Sequence, residues 1–289
     1  MPTSSFKVLS REFPTPAARD ELNKGRRIIA EAFCDTLRTL RGRTEVTEIE
    51  FRDHWHKLIA ASEEMTWDGW YSPPQTGMAV LFATGTDPSR VHFRTFRDPG
   101  SFVSCKVIDW SDGVILGYAS NVHRKTGLPG DFATTVYVGK NRRLIEYFQR
   151  ARALCRDIIS TIDGSMLAGE LHSIALDALT ERGLRGTTHS DTDPDGHNIG
   201  HSLPRLPVSP VSITLRSDQI HVLRTGRQFV RKDGDWKLDS VEQFTIEPQV
   251  VAKDDPSLPK IMLHYVVRAR QDVLVCDRCE DPLAELEII

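Results

Sequence analysis

The sequence lacks the features that mark membrane, secreted and nucleic-acid-binding proteins. No apolar run approaches the ~20 residues that span a bilayer, and the first residues, MPTSSFKVLSREF, lack the apolar core of a signal peptide. The formal net charge of the 289 residues is only −3, so no basic surface for nucleic acid or an anionic membrane is indicated. We therefore expect a cytoplasmic protein that binds neither nucleic acid nor membranes.

Cysteines are few, and several common catalytic motifs are missing. Five cysteines, an odd number, favour a reducing compartment over a disulfide framework. Cys276 and Cys279 form one C-x-x-C pair, but the other cysteines are not spaced to complete a structural zinc site. Neither G-x-G-x-x-G nor G-x-x-x-x-G-K-[ST] occurs, and there is no G-x-S-x-G. Nucleotide binding and serine hydrolysis are therefore not supported.

The sequence does contain a regular order of predicted elements. Residues 21–40 and 42–62 have the periodicity of two amphipathic helices, with Thr47 as the N-cap of the second. Residues 141–162 and 165–184 predict a second helix pair. Segments that predict strands follow each pair, at 77–85, 91–97, 102–110, 114–120 and 132–139, and at 211–224, 226–238, 243–251 and 260–276.

This order predicts an α+β protein with antiparallel sheet and helices on one side. We interpret residues 1–18 as an N-terminal arm and residues 19–289 as a single domain with a pseudo-two-fold internal repeat.

Polar residues inside the strand-like segments are the candidate functional residues, because a buried carboxylate is costly without a cation or a donor. Asp109, Asp131 and Glu247 lie in or beside apolar runs, and Asp272 follows Gln271 in the last one. Each of them alone also fits a salt-bridged or edge-strand residue. Together with a histidine they form a donor set suited to Mn, Fe, Co or Zn.

The stretch GHNIGH, residues 196–201, contains two histidines four positions apart. They fit either a pair of metal ligands on one helical turn or one ligand in an extended segment with a second histidine beside it.

The order of two helix pairs, each followed by strands, and five short segments within it resemble those of the methionine aminopeptidase, prolidase and creatinase family. GHNIG resembles the family's G-H-G-I-G, FTIEP its T-I-E-P-G, and DFATTVYVG its S-D-x-T-R-T-x-x-x-G. KVIDW resembles the strand of its first metal-binding aspartate, and RVHFRTF the strand of a catalytic histidine. The resemblance extends from Glu21 to Val275 and implies the pita-bread fold, an antiparallel sheet with two pairs of helices packed on one side.

The resemblance also implies a metal site with histidines beside it. A rival alignment of GYASN with the family's G-Y-x-S-D puts Asn121 in the place of the second aspartate, Asp131. The catalytic histidine maps to His92, and His201 is a neighbour that contacts the substrate. The metal positions map, in chain order, to Asp109, Asp131, His197, Glu247 and Gln271.

Two departures from the family pattern affect the expected chemistry. Gln271 stands where the family has a glutamate that bridges two metals, and a neutral amide supplies no bridging charge. The family's downstream H-E is missing from HSLPRLP. The resemblance thus implies one divalent ion per chain (Mn, Fe, Co or Zn) or none.

Three functions are compatible with these residues. The first is an aminopeptidase-like hydrolase that cleaves a short peptide or other small amide through a metal-bound water. The second is a non-peptidase of the same fold, a creatinase-like C–N hydrolase or a lyase of small-molecule metabolism. The third is a catalytically silent binding protein, which the retained carboxylates disfavour. The substrate is expected to be a small molecule or a short peptide, and a homodimer is left open.

Overall fold

The computed structural model describes residues 7–9, 24–98, 103–186, 188–190, 193–207, 210–270 and 273–277. Within these ranges the chain forms five α-helices, and the predicted order of two helix pairs, each followed by strands, is confirmed. None of these helices combines the length and apolar character needed to cross a membrane. The helices are α1 Lys24–Leu40, α2 Glu48–Ala60, α3 Arg142–Ser160, α4 Ala168–Glu181 and α5 Ser217–Thr225.

The strands are short and form several small sheets, in which the pairing is antiparallel except between β1 and β14. One sheet has the order β2-β3-β6, a second β1-β14-β13-β10 and a third β12-β11-β7, while β4 pairs with β5 and β8 with β9. In chain order the strands are β1 Lys7–Leu9, β2 Met78–Thr84, β3 Gly113–Ala119, β4 Val122–His123, β5 Leu128–Pro129, β6 Phe132–Tyr137, β7 Leu184–Arg185, β8 Thr188–Ser190, β9 Asp193–Asn198, β10 Gln243–Ile246, β11 Gln249–Ala252, β12 Ile261–Met262, β13 Tyr265–Arg270 and β14 Val273–Asp277.

The helices form where the sequence predicts them because each has an apolar face and some have an N-cap. In α1 the side chains of Ile29, Phe33 and Leu37 are fully buried and lie on one face. Helix α2 begins after Thr47, whose Oγ1 accepts a hydrogen bond from Glu50 N at 3.1 Å, so the predicted N-cap is confirmed.

The β2-β3-β6 sheet is buried on both faces and connects the two hydrophobic clusters of the core. Successive side chains of a strand point to opposite faces, so each strand contributes to both clusters. Val80, Phe82 and Ile115 pack with the residues of α1 and α2. Leu81 and Leu116 belong to the larger cluster, which also contains the buried residues of α3 and α4.

Two segments predicted as strands are helical instead. Residues 93–97 form a 3-10 helix, in which Phe93 and Phe96 both contact Tyr118, with ring centroids 5.6 and 5.7 Å apart. Side chains three positions apart share a face in such a helix but not in a strand. Residues 211–224 contain most of α5, whose first turn is closed by a hydrogen bond from Arg216 N to Gln219 Oε1 at 3.0 Å.

Candidate active site

Four buried polar side chains meet in one cluster. Asp131 precedes β6, His201 follows β9, Glu247 lies between β10 and β11, and His264 lies between β12 and β13. His201 Nε2 lies 3.5 Å from Asp131 Oδ2 and 3.3 Å from Glu247 Oε1. His264 Nε2 lies 3.9 Å from Asp131 Oδ1 and 3.4 Å from Glu247 Oε2. Each imidazole therefore faces both carboxyl groups, and we call the four residues the carboxyl–imidazole cluster.

Gly200 allows the segment of His201 to approach β10 closely. A Cβ atom at Gly200 would lie 1.9 Å from the Thr245 carbonyl oxygen, so a larger residue would push the two segments apart. His201 N donates a hydrogen bond to Thr245 Oγ1 at 2.9 Å, and Thr245 N donates to the His201 carbonyl at 2.8 Å. Glu247 N donates to the Ile199 carbonyl at 2.7 Å. These bonds fix His201 beside Glu247.

Asp131 has an unusual backbone conformation. Its φ of 28° lies in the left-handed region, which is uncommon for a residue with a side chain. Its carbonyl accepts a hydrogen bond from Arg26 Nη1. Its buried Oδ2 has no hydrogen-bond partner among the described residues. Backbone strain and an unpaired buried oxygen together are typical of functional sites.

The hydrogen bonds of His201 identify its tautomer. Nδ1 lies 2.8 Å from the Ser202 carbonyl oxygen, which can only accept, so Nδ1 carries the proton. Burial, followed by the nearby charge of Arg227, lowers the pKa of His201 to about 3, so the ring is neutral at physiological pH. Nε2 therefore presents a lone pair to the two carboxyl groups.

His264 has the opposite tautomer. Arg26 Nη1 lies 2.8 Å from His264 Nδ1, and because a guanidinium can only donate, Nδ1 must accept. Burial and then the Arg26 charge hold the pKa of His264 well below its ordinary value, so this ring is neutral too. Its proton is consequently on Nε2, and the ring presents an N–H group to the carboxyl groups.

Arg227 is a second buried cation at the cluster. Its guanidinium lies over the rings of Trp70, Tyr71 and Phe229, at 5.0, 5.2 and 5.3 Å from their centroids. Such contacts stabilise a desolvated cation. Its charge lowers the pKa values of the two carboxyl groups and of His201.

Burial raises the pKa of both carboxyl groups, but not equally. Desolvation raises the pKa of Asp131 to about 6, against the opposing charges of Arg227 and Arg26. Desolvation, and then the adjacent Asp131, raise the pKa of Glu247 to about 8. The pair therefore holds a proton more tightly than two separate carboxyl groups would, and Glu247, whose pKa is raised further, is the more strongly protonated of the two. A base and an acid stand side by side, an arrangement that suits proton transfer.

Comparison with known proteins identifies the fold in which this cluster lies. Residues 20–277, nearly the whole chain, match the model of metallopeptidase family M24. The chain belongs to family M24. The pita-bread fold expected from the sequence is thereby confirmed. No curated protein matches the sequence.

Solved structures of M24 enzymes have the same fold at low sequence identity. The X-Pro aminopeptidase from Thermotoga maritima MSB8 is 15% identical with a TM-score of 0.58, over 93% of this chain and 62% of its own length. The prolidase from Pyrococcus furiosus is 15% identical with a TM-score of 0.58, over 93% and 65%. The methionine aminopeptidase from Thermotoga maritima is 14% identical with a TM-score of 0.56, over 93% and 98%. The chain thus spans less than two thirds of the first two enzymes.

The cluster does not suit the divalent metal that membership of M24 implies. His264 Nε2 carries a proton and cannot coordinate a cation. Arg26 and Arg227 already outweigh the negative charge of the carboxyl pair, because burial raises the pKa of both carboxyl groups, so a divalent ion would add uncompensated positive charge. Within the described ranges, no group of three or more histidine, cysteine, aspartate or glutamate side chains is arranged to hold a metal ion.

Two of the predicted M24 metal positions, Asp109 and His197, lie away from the cluster. Asp109 is exposed, and its Oδ1 accepts hydrogen bonds from the N and Oγ of Ser111, which form the turn before β3. His197 is exposed within β9, and its carbonyl accepts from His172 Nε2 at 2.9 Å. The expectation that these two residues converge with the others is therefore wrong.

The structure brings Asp131 and Glu247 together as expected, and His201 takes the place predicted for His197. The second G-H dipeptide of GHNIGH, not the first, approaches β10. The rival Asn121 does not join the cluster, because its Nδ2 donates to the carbonyls of Thr66 and Trp67, each at 2.9 Å.

The other predicted site residues are not in the cluster. His92 is half-buried, its Nε2 lies 3.1 Å from Thr95 Oγ1, and burial lowers its pKa. Among the described residues His92 has no contact with the cluster, so its predicted catalytic role gains no support from geometry. Gln271 lies outside the described residues.

Sequence reasoning missed His264, Arg26 and Arg227. Two of them carried a signal. His264 interrupts the apolar run KIMLHYVV, and Arg26 lies on the apolar face of α1, three and seven positions before Ile29 and Phe33.

Proposed function

We propose that this chain is a hydrolase that cleaves the C–N bond of a short peptide or other small amide without a bound divalent metal. Asp131 acts as the base that activates water, and Glu247 acts as the acid that protonates the leaving nitrogen. The observation that supports this proposal is the pair of opposed imidazole tautomers facing one carboxyl pair. His201 Nε2 can accept a hydrogen bond from the Glu247 carboxyl group, while the His264 N–H can stabilise the ionised carboxylate.

In this reaction Asp131 is the base and Glu247 the acid. Asp131 Oδ2, the oxygen without a hydrogen-bond partner among the described residues, takes a proton from water as the water oxygen bonds to the amide carbon. Glu247 gives its carboxyl proton to the leaving nitrogen as the C–N bond breaks. Asp131 is then protonated and Glu247 ionised. The next water molecule to enter carries the proton from Asp131 to Glu247 and restores both groups, while His201 Nε2, within 3.5 Å of both, orients them as a hydrogen-bond acceptor.

The pKa values fit these roles because a catalytic acid or base works best with a pKa near the operating pH. Those of Asp131 and Glu247, about 6 and about 8, lie on either side of neutrality. Belonging to family M24 supports hydrolysis of an amide as the reaction type.

The test combines metal analysis with amide hydrolysis. We expect protein purified without chelator to contain metal far below one ion per chain, and any hydrolysis in a panel of dipeptides and non-peptide amides to survive EDTA. Glu247→Gln and Asp131→Asn should each lower the rate by ~100-fold or more. Asp109→Asn, an exposed carboxylate, is the matched control and should keep the rate.

Stoichiometric bound metal, or hydrolysis that EDTA abolishes and Mn or Zn restores, would show that the cluster works as a metal site. Absence of turnover over the whole panel would contradict the hydrolase and favour a binding protein.

A further inference from the structure

We infer that Arg26 is a positioning residue that fixes the tautomer of His264 and thereby excludes divalent cations from the carboxyl–imidazole cluster. Any effect of Arg26 on catalysis rests on the proposed function. The tautomer of His264 and the cation selectivity do not, since they follow from the hydrogen bonds and the charge of Arg26.

Arg26 reaches the cluster from α1 and is fully buried. Nη1 donates to His264 Nδ1 at 2.8 Å and to the Asp131 carbonyl, and Nη2 donates to the His264 carbonyl. Its guanidinium carbon lies 5.4 Å from the Phe132 ring centroid. One planar side chain therefore holds both the ring and the backbone of His264, a geometry that lysine cannot reproduce in full.

The choice of tautomer decides what the cluster can bind. With Nδ1 as acceptor, His264 Nε2 keeps its proton and presents an N–H group to Asp131 and Glu247, at 3.9 and 3.4 Å. Without Arg26, the proton could move to Nδ1, and the Nε2 atoms of His201 and His264 would both present lone pairs beside two carboxyl groups. That set of two nitrogen and two carboxylate donors suits Zn or Co. Loss of the Arg26 charge would favour a cation further.

The wild-type protein gives the first test. Two-dimensional 15N–1H NMR of histidine-labelled protein distinguishes the two neutral tautomers, and the His264→Gln variant identifies the His264 signal. We expect His264 to be protonated on Nε2 and His201 on Nδ1. A His264 ring protonated on Nδ1, or averaged between the two forms, would overturn the inference whatever the enzyme activity is.

Cobalt titration of variants gives the second test, because Co2+ bound to nitrogen and oxygen ligands absorbs visible light. We expect Arg26→Met to populate the Nδ1–H tautomer and to bind Co2+ roughly tenfold or more tightly than wild type, the size of effect usual for residues that orient metal ligands. Arg26→Lys keeps the charge but not the full donor geometry, and should bind Co2+ with an affinity between those of wild type and Arg26→Met. Arg27→Met, the neighbouring change on α1, removes the same charge and should gain no cobalt affinity.

Equal cobalt affinity in Arg26→Met and Arg27→Met would overturn the selectivity role. Should Arg26→Met fail to fold, the wild-type spectrum still decides the tautomer. An Nε2–H ring at His264 without any amide hydrolysis would leave the role of Arg26 standing and contradict only the proposed function.

Discussion

At the residue scale, the environment of the cluster turns two similar carboxyl groups into an acid and a base. Both are buried, but Glu247 also lies beside the Asp131 charge, and its pKa rises further. The folded protein therefore holds the Glu247 proton more tightly than the unfolded chain does. By linkage, the free energy of unfolding must fall as the pH rises from 4.5 through about 8.

We expect Glu247→Gln, which has no proton to lose, to remove this fall. Across that pH window, the free energy of unfolding should fall by on the order of 1–4 kcal/mol more in wild type than in the variant. Urea denaturation at several pH values measures it. Glu181→Gln, at an exposed carboxylate at the end of α4, should keep the wild-type slope. Parallel curves for wild type and Glu247→Gln would mean that Glu247 is ionised in the native protein at neutral pH.

Residue identity was also where sequence reasoning was weakest. Asp131 and Glu247 could be found because each is a carboxylate beside an apolar strand. The resemblance of GHNIG to G-H-G-I-G points to His197, but both histidines follow a glycine, and only the close approach of Gly200 to Thr245 distinguishes them. That approach is a tertiary contact 45 positions along the chain, which local pattern does not reveal.

At the element scale, the helices could be predicted and several strands could not. Amphipathic periodicity over four or five turns identifies α1 and α3, because one face of each packs on the core. The segment 91–97 is too short for its period to separate a strand from a 3-10 turn. Its aromatic contacts with Tyr118 decide the outcome.

Gly200 is the element-scale feature that the site depends on most. We expect Gly200→Ala to destabilise the protein by ~1–3 kcal/mol or more, since the added Cβ would lie 1.9 Å from the Thr245 carbonyl oxygen and must push the His201 segment away from β10. Gly183→Ala is the matched control: its φ of 65° is also positive, but its Cβ would meet nothing within 4 Å.

Chemical denaturation measures both variants. Gly183→Ala should lose only the ~1–2 kcal/mol of the left-handed backbone. Suppose that Gly200→Ala lost no more unfolding free energy than this control and kept the two hydrogen bonds between His201 and Thr245 in NMR. The close approach would then not be what positions His201.

At the scale of the whole molecule, the cluster joins parts that are distant in sequence. Arg26 comes from the first helix, Asp131 from the first strand group, and His264 from the last. The β2-β3-β6 sheet contributes one face to each hydrophobic cluster, so the two halves of the core share a layer. Such sharing favours a single cooperative unfolding transition.

Removing Arg26 tests this coupling. Arg26→Met leaves the buried carbonyls of Asp131 and His264 without their donor, and each buried group left unpaired costs ~1–3 kcal/mol, so we expect a loss of several kcal/mol. Arg27→Met, next to it on α1, loses an ion pair with Glu31 at 3.9 Å and should cost ~0–1 kcal/mol. Calorimetry should show one transition for both variants, lowered markedly only for Arg26→Met. Two separate transitions in Arg26→Met would contradict a single cooperative unit and would show that the bonds from Arg26 to Asp131 and His264 couple the two halves.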